Sequence, residues 1–303
     1  MTLRPEARTA AGLRRIKLVL MDVDGTLVTS DSATFSRVVG QLRRLKGIGV
    51  NFSVATGRTI SGVAPIIQQM EGAGAKLPPM VTYNGAVVAL SEKPLVLKIK
   101  TIAREAFGAL VKRCRTAGVS PLAYVCSATP FGVVQEITYA EGPDRPTTEF
   151  NGSLVRWVDD LLTIEDDIVA VLIRKPAGQA GEALLADLSE TFAGILRVTT
   201  SGGAFIEICH PRGTKRNAMV ELAQMLDIEI ADVMAIGDNF NDIEMIEDAG
   251  VGVAVANSPD VVKAAATLVC SQSGASGVVE VLRVLTRVIR TEKALTDALA
   301  RAV

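Results

Sequence analysis

The chain has 303 residues, 49% of them apolar and 21% charged, the composition of a folded protein and not of a disordered one. Its 32 Lys and Arg stand against 33 Asp and Glu, so no surplus of positive charge points to nucleic acid and no polybasic run to anionic lipid. Mean hydropathy is high at +0.32, yet no apolar run approaches the roughly 18 residues of a membrane span, and the length predicts two domains.

The opening MTLRPEARTAAGLRR is Arg-rich, but it contains Glu6 and lacks an apolar face, so it reads as a frayed arm outside the fold and not as a targeting peptide. KLVLM then leads into Asp22, VNFSVA into Thr56 and MVTY into Asn84; later, VMAIG leads into Asp238 and GVGVAVA into Asn257. Short apolar runs that end on polar or turn residues predict buried parallel strands. Between them SRVVGQLRRLKGIG, GVAPIIQQMEG, KRNAMVELAQML and DIEMIEDAG carry helical periodicity. Such alternation predicts an α/β fold with a doubly wound, parallel, Rossmann-like core sheet. Ligands of these sheets gather at the carboxyl ends of the strands, where the polar residues fall.

The motif spacing is uneven. From Asp22 to Thr56 is 34 residues and from Lys215 to Asp238 is 23, but 159 separate Thr56 from Lys215. One βα step takes roughly 30 residues, so the long interval reads as an insertion. Within it lie a helix around TIAREAFGALVKRCRTAG, strand-like PLAYVCS and FGVVQEITY, the polar passage EGPDRPTTEFNGS, strand DIVAVLIR, helix GEALLADLSETF and the strand pair ILRVTT and AFIEICH. Mixed strands with two helices predict an α+β cap domain at 87–210, inserted into a core of 1–86 and 211–303. Trp157 is expected in the cap's core.

LVLMDVDGTLV admits two readings. A strand ending in a solvated turn needs one Asp, with Gly25 supplying the positive φ. A second carboxylate two residues on is surplus unless a cation or a shared proton offsets the repulsion. If strand ends present Asp22 and Asp24 with Thr56, Lys215, Asp238 and Asp242, three carboxylates suit a hard divalent cation such as Mg²⁺, which leaves room for substrate phosphate. Lys215 then adds charge, Thr56 a hydroxyl donor, and the helix after Thr56-Gly57-Arg58 its backbone N–H groups and dipole. Residues i and i+2 of a strand point the same way, so Asp22 can attack phosphorus while Asp24 handles the proton.

DVDGT at 22–26, SVATGR at 53–58, HPRGTK at 210–215 and GDNFND at 237–242 occur in the order of the four motifs of the haloacid dehalogenase superfamily, which the chain resembles. YNGA at 83–86, FIEICHPRGTKRNAMVELAQML and GVGVAVANSPDVVKAAA are similar to its Cof-type branch, whose large cap, of type IIB, lies between the second and third motifs. The resemblance implies a Mg²⁺-dependent phosphatase of small phosphorylated metabolites, such as sugar phosphates or phosphorylated cofactors, working through an aspartyl-phosphate. It makes Asp22 the nucleophile and Asp24 the general acid/base, with a backbone carbonyl on the metal. Asp238 and Asp242 complete the metal set, Asp242 directly or one step removed. Thr56 and Lys215 hold the transferring phosphoryl group, Asn241 contacts phosphate, and Gly25 and Gly57 belong to the phosphate loops. Arg216, where Gly is usual, and the loose turn SGASGV at 273–278 depart from the pattern away from the proposed catalytic atoms.

Each motif alone has a plainer reading: Thr56-Gly57-Arg58 as an N-cap and turn, Lys215 as an exposed lysine at a helix start, GDNFND as a capped helix. Their joint order carries the argument. Two rivals stay open: a sugar phosphomutase on the same fold, and a non-catalytic sensor of a phosphorylated ligand. Cys114, Cys126, Cys209 and Cys270 lack CxxC spacing and no secretory segment precedes them, which fits a cytoplasmic protein. His210 is the only histidine, so no Ser–His or Cys–His system can be assembled elsewhere; it is expected to pack or cap near a hinge. GAGAK and GVGVAVA lack dinucleotide-loop spacing, VDDLLTIEDD reads as a solvated face or linker, and the glycosylation acceptor Asn151-Gly152-Ser153 requires secretion. Oligomeric state is not legible.

Overall fold

The computed structural model describes residues 2–3, 6–28, 32–71, 77–90, 95–128, 134–142, 149–150, 153–201 and 204–302. The GAGAK fragment and Asn151-Gly152 lie outside them. The chain divides into two compact units, one of Met1–Ala55, Ile66–Pro78 and Met219–Val303, the other of Thr56–Pro65 and Pro79–Ala218.

The first unit holds the parallel sheet that the apolar runs predict. Its order is Thr2–Leu3, Leu268–Val269, Val251–Ala254, Val233–Gly237, Leu18–Met21, Asn51–Val54, and only the edge strand Thr2–Leu3 runs antiparallel to its neighbour. Leu18, Val19, Leu20 and Met21 are all 0% exposed, which requires cover on both faces of the strand. Burial of each such side chain is worth about 1.5–3 kcal/mol. Leu18–Met21 has the next strand of the chain, Asn51–Val54, on one side and the much later Val233–Gly237 on the other. The winding reverses there, so the crevice at the carboxyl ends of Leu18–Met21 and Val233–Gly237 is the switch point where α/β sheets bind ligands.

The N-terminal stretch departs from the frayed arm expected. Glu6–Arg15 is a helix, Leu13 and Ile16 are buried, and both Arg15 and Lys17 pair with Asp232. Arg14 also pairs with Glu292, and Thr2–Leu3 joins the sheet edge, so several distant partners hold the segment. At the other end the long helix Gly274–Ala302 buries Val278, Val281, Leu282 and Leu285, a helical i, i+3, i+4, i+7 stripe.

MVTY also differs from expectation. Met80–Thr82 does not join the parallel sheet; it pairs antiparallel with Val87–Ala89, which pairs in turn with Val96–Ile99. The cause is the turn that follows. Tyr83, Asn84 and Gly85 take φ of 49°, 56° and 102° and send the chain straight back, as an Asn-Gly pair between apolar runs favours.

The rest of the second unit is the α+β insertion. Its seven-stranded mixed sheet runs Arg197–Ser201, Phe205–Cys209, Ile168–Arg174, Pro121–Ala128, Val134–Glu141, Ser153–Val158, Glu149–Phe150. The helices Arg104–Thr116 and Gln179–Thr191 cover one face. Phe107, Leu110, Val111, Leu184 and Leu188 from the helices meet Val125, Ile137, Val171, Ile173, Ile206 and Ile208 from alternate strand positions. The intervening positions, Tyr124, Glu136 and Glu207 among them, take the opposite face. Trp157 is not in the helix-side core; it sits across from Ala140 on that second face, half-buried. Within VDDLLTIEDD, Leu161 is buried, Asp160 caps the Leu162 N–H at 2.8 Å and Asp166 accepts the Tyr139 hydroxyl at 2.6 Å, as suits a linker.

Candidate active site

Asp22 is the first residue beyond Leu18–Met21 and Asp238 the first beyond Val233–Gly237. The Asp22 N–H donates to Ile236 O at 2.8 Å, so pairing continues to the switch point. Asp22, Asp238 and Asp242 each bring a carboxylate oxygen to within 4.8 Å of the others. Asp22 and Asp242 are 5% and 0% exposed. Three carboxylates so close and so shielded repel one another unless a cation or a proton lies among them. The donors are all hard oxygens, the set that suits Mg²⁺ or Ca²⁺ and not a soft metal.

Neighbouring residues hold this group in place. The Asp242 carboxylate accepts the N–H groups of Asp238 and Asn239, and the Asn239 side chain accepts the Phe240 N–H. The Thr26 hydroxyl donates to Asp238 at 2.7 Å. Gly25 has φ +84°, and a Cβ there would lie 2.3 Å from Asp238 Oδ2, so this position needs glycine both for its backbone and for its close approach. Asn257, which the sequence marks only as the polar end of a strand, donates to Gly25 O at 3.1 Å and approaches Asp238 Oδ2 at 3.4 Å. Its position at a strand's carboxyl end was the available signal. Asp24 is exposed and its side chain is not part of the three-carboxylate group, while Asn241 is half-buried.

In the second unit, Thr56 and Lys215 are 0% and 1% exposed. Thr56 follows the strand Asn51–Val54 and Ala55, and its backbone is fixed at both ends: its N–H donates to Val81 O at 3.0 Å and its carbonyl accepts the Asn84 N–H at 2.9 Å. Its Oγ1 accepts the Arg58 N–H at 3.1 Å, which leaves the hydroxyl proton as a donor. Gly57 packs against Asn84 and Glu207, both 3.2 Å from a Cβ built there. Lys215 opens the helix Lys215–Met225 behind Thr214, whose hydroxyl accepts the Asn217 N–H at 3.1 Å. His210 caps its own turn, taking the Arg212 N–H on Nδ1 at 3.0 Å; burial, Lys100 and Arg212 lower its pKa.

One expectation about phosphate binding is overturned. The helix Ile60–Glu71 after Thr56-Gly57-Arg58 does not offer its first N–H groups to a ligand. Those of Ile60 and Ser61 donate to the Glu136 carboxylate, each at 2.7 Å, and that of Gly62 donates to Thr59 Oγ1 at 2.8 Å. A protein carboxylate already occupies the anion position of the helix. Glu136 lies in the insertion, 76 residues from Ile60, which is why the local sequence gave no hint.

The four cysteines are free and buried, and burial pushes the Cys126 and Cys270 thiols up to about 12, so none is a nucleophile at neutral pH.

A family model described as haloacid dehalogenase-like hydrolase matches residues 19–282. The chain is 31% identical over 263 residues to YxeH of Bacillus subtilis, provisionally named a phosphatase, with 82% of this chain and 91% of that protein covered. It is 24% identical over 272 residues to the 5-amino-6-(5-phospho-D-ribitylamino)uracil phosphatase YcsE of Bacillus subtilis, covering 88% of this chain and 95% of that one. A haloacid dehalogenase-like hydrolase from Bacteroides thetaiotaomicron has a similar structure, with TM-score 0.72 and 26% identity over 88% of this chain and 98% of the other. The chain belongs to the haloacid dehalogenase-like hydrolases, as its four ordered motifs and Cof-type stretches imply. Within that family it is a phosphatase, a hydrolase of phosphoric monoesters. Among the described residues no helix is long and apolar enough to cross a membrane.

Proposed function

We propose that the chain is a Mg²⁺-dependent phosphatase of small phosphorylated metabolites, sugar phosphates or phosphorylated cofactors, acting in the cytoplasm through an aspartyl-phosphate on Asp22. The observation that carries the reading is the group formed by Asp22, Asp238 and Asp242 at the switch point of the parallel sheet. Their oxygens fit Mg²⁺, and Asp24 adds its backbone carbonyl to the set. When bound, Mg²⁺ offsets the repulsion among these carboxylates and draws charge from the phosphoryl oxygens.

The chemistry of the chain's own groups follows. An Asp22 oxygen attacks phosphorus while the bond to the ester oxygen breaks, and Asp24 gives that departing oxygen its proton. Asp24, now ionised, takes a proton from water as the water attacks the aspartyl-phosphate; phosphate leaves and Asp22 is restored. Thr56 donates its hydroxyl proton and Lys215 its charge to the transferring phosphoryl group. Gly25, Gly57 and Asn241 complete the phosphate contacts. We assign this work to a core of 1–86 and 211–303, and substrate choice to a cap of 87–210; every strand of the seven-stranded sheet falls inside the latter range. The name of YcsE supports a ribityl- or sugar-like phosphate ester as the substrate class.

The test is phosphate release from a generic aryl phosphate and from a panel of phosphorylated metabolites. The reading predicts net release with Mg²⁺, abolished by EDTA and by Asp22→Asn. A mutase would return the phosphoryl group to the sugar, and a sensor would bind without turnover.

A further inference from the structure

We propose that Glu136, on the strand Val134–Glu141, is a positioning residue for the phosphoryl grip. Its carboxylate locks the Tyr83–Gly85 turn to the start of the helix Ile60–Glu71, and that locked pair sets Thr56 and Lys215. The inference rests on the roles of Thr56 and Lys215 given above.

One carboxylate gathers three donors from two separate stretches of chain. Oε1 accepts the Ile60 N–H at 2.7 Å and the Tyr83 hydroxyl, and Oε2 accepts the Ser61 N–H at 2.7 Å. The contact with Tyr83 matters because of what that residue's backbone does. Tyr83 and Asn84 are two of the three non-glycine residues with positive φ among the described residues. Such conformations are strained and persist only where surrounding contacts over-determine them. The contacts here are visible: Glu136 holds the Tyr83 hydroxyl, Glu207 holds the Asn84 side-chain amide, and the Tyr83 ring meets Tyr124 edge-on at 6.0 Å. Glu136, Glu207 and Tyr124 share the sheet face turned away from the insertion's helices and contribute nothing to the helix-side core.

The strained turn touches both residues of the grip. Through its backbone, Asn84 N–H reaches Thr56 O at 2.9 Å and Tyr83 N–H reaches Arg58 O at 3.0 Å. Through Gly85 it lies on the peptide before Lys215: a Cβ on Gly85 would fall 2.1 Å from Thr214 O and 3.0 Å from Lys215 N. A shift of this turn therefore moves Thr56 and the Lys215 backbone together. Phosphoryl transfer depends on sub-ångström placement of its donors, so the loss should appear in turnover. A glutamine at 136 cannot replace the carboxylate, because its NH₂ would face N–H groups already pointing inward.

The experiment uses the full chain carrying Glu136→Gln or Tyr83→Phe, with aryl phosphate hydrolysis in Mg²⁺, inhibition by orthovanadate as an analogue of the five-coordinate phosphoryl group, and thermal midpoints. Glu136→Gln should lower kcat roughly 10- to 100-fold with KM changed less than about 3-fold, and weaken orthovanadate inhibition in proportion. Tyr83→Phe removes one hydrogen bond and keeps the ring, so it folds and carries the test even if Glu136→Gln does not; it should lose about 3- to 10-fold in the same two quantities. Wild-type kcat and orthovanadate inhibition in the folded variants overturn the proposal. So does a loss explained by a lower folded fraction with orthovanadate affinity intact. A wild-type chain that releases no phosphate from any substrate overturns the phosphatase reading, and this proposal with it.

Discussion

Asp242 turns its carboxylate back on its own segment and accepts the Asp238 N–H at 2.9 Å, so the residue four positions on fixes the bend that presents Asp238 to the switch point. The same oxygen accepts the Asn239 N–H at 3.0 Å. Asp242 thus serves the backbone and the carboxylate group at once. Asp242→Ala leaves two N–H groups without that acceptor where the side chain was 0% exposed, a loss of about 1–3 kcal/mol. The expected result is a lower thermal midpoint that no longer rises when Mg²⁺ is added. Melting curves with and without Mg²⁺ check it, with the wild type rising by mass action.

Gly25→Ala tests the close approach to Asp238. A Cβ 2.3 Å from Asp238 Oδ2, at a φ of +84°, forces either the loop or the carboxylate to move. The chain should still fold, since Gly25 lies in the loop beyond the carboxyl end of its strand, and Mg²⁺-dependent turnover should fall by about 100-fold or more through misplacement. Steady-state kinetics across a Mg²⁺ titration measure the drop and any rise in the Mg²⁺ required.

Lys215→Met tests the charge assigned to the phosphoryl group. Lys215 is 1% exposed and keeps polar interactions there, so an apolar side chain of similar length leaves its partner uncompensated. The variant should melt below the wild type while kcat/KM falls by about 10²- to 10³-fold. Parallel melts and kinetics measure both; wild-type kcat/KM in the folded variant would contradict the role assigned to Lys215.

Asp232 supplies a pH-dependent term for the N-terminal helix. Burial raises its pKa, but hydrogen bonds from Lys17 and Arg15 outweigh that and hold it below the ordinary carboxylate range. A depressed folded pKa gives stability that is present above the unfolded value of about 3.9 and is lost as pH falls through the folded value. Arg15 and Lys17 are more than half exposed, so solvent screens the pairs and the term is about 1 kcal/mol. Asp232→Asn should therefore destabilise at pH 7 and converge on the wild type only as pH falls through the depressed folded value of Asp232. Urea unfolding at pH 7 and along an acid series measures the difference.

How far the sequence predicts this architecture depends on how local the controlling interaction is. The strands at Asp22, Thr56 and Asp238 are legible because apolar runs covered on both faces and ended by a polar residue have few other folds open to them. MVTY looks the same, yet it is a hairpin arm, and the deciding residues are Asn84-Gly85 just beyond it. The N-terminal helix is hidden because Asp232, the acceptor of Arg15 and Lys17, lies more than 200 positions away. The same holds at the site. Asp22, Asp238 and Asp242 announce themselves as acids at strand ends, whereas Glu136 sits in an alternating strand, VQEITY, where one glutamate looks like any outward-facing residue. Only the fold shows that it takes the N–H groups that the local reading assigns to phosphate.

The central claim is that Asp22 accepts the phosphoryl group. The most direct measurement is rapid acid quench of wild type and Asp22→Asn with aryl phosphate and Mg²⁺, followed by mass spectrometry of the peptide containing LVLMDVDGTLV. The account predicts a phosphoryl adduct on Asp22 in the wild type, absent in Asp22→Asn together with phosphate release. Turnover that persists in Asp22→Asn, or an adduct on another residue, would contradict it.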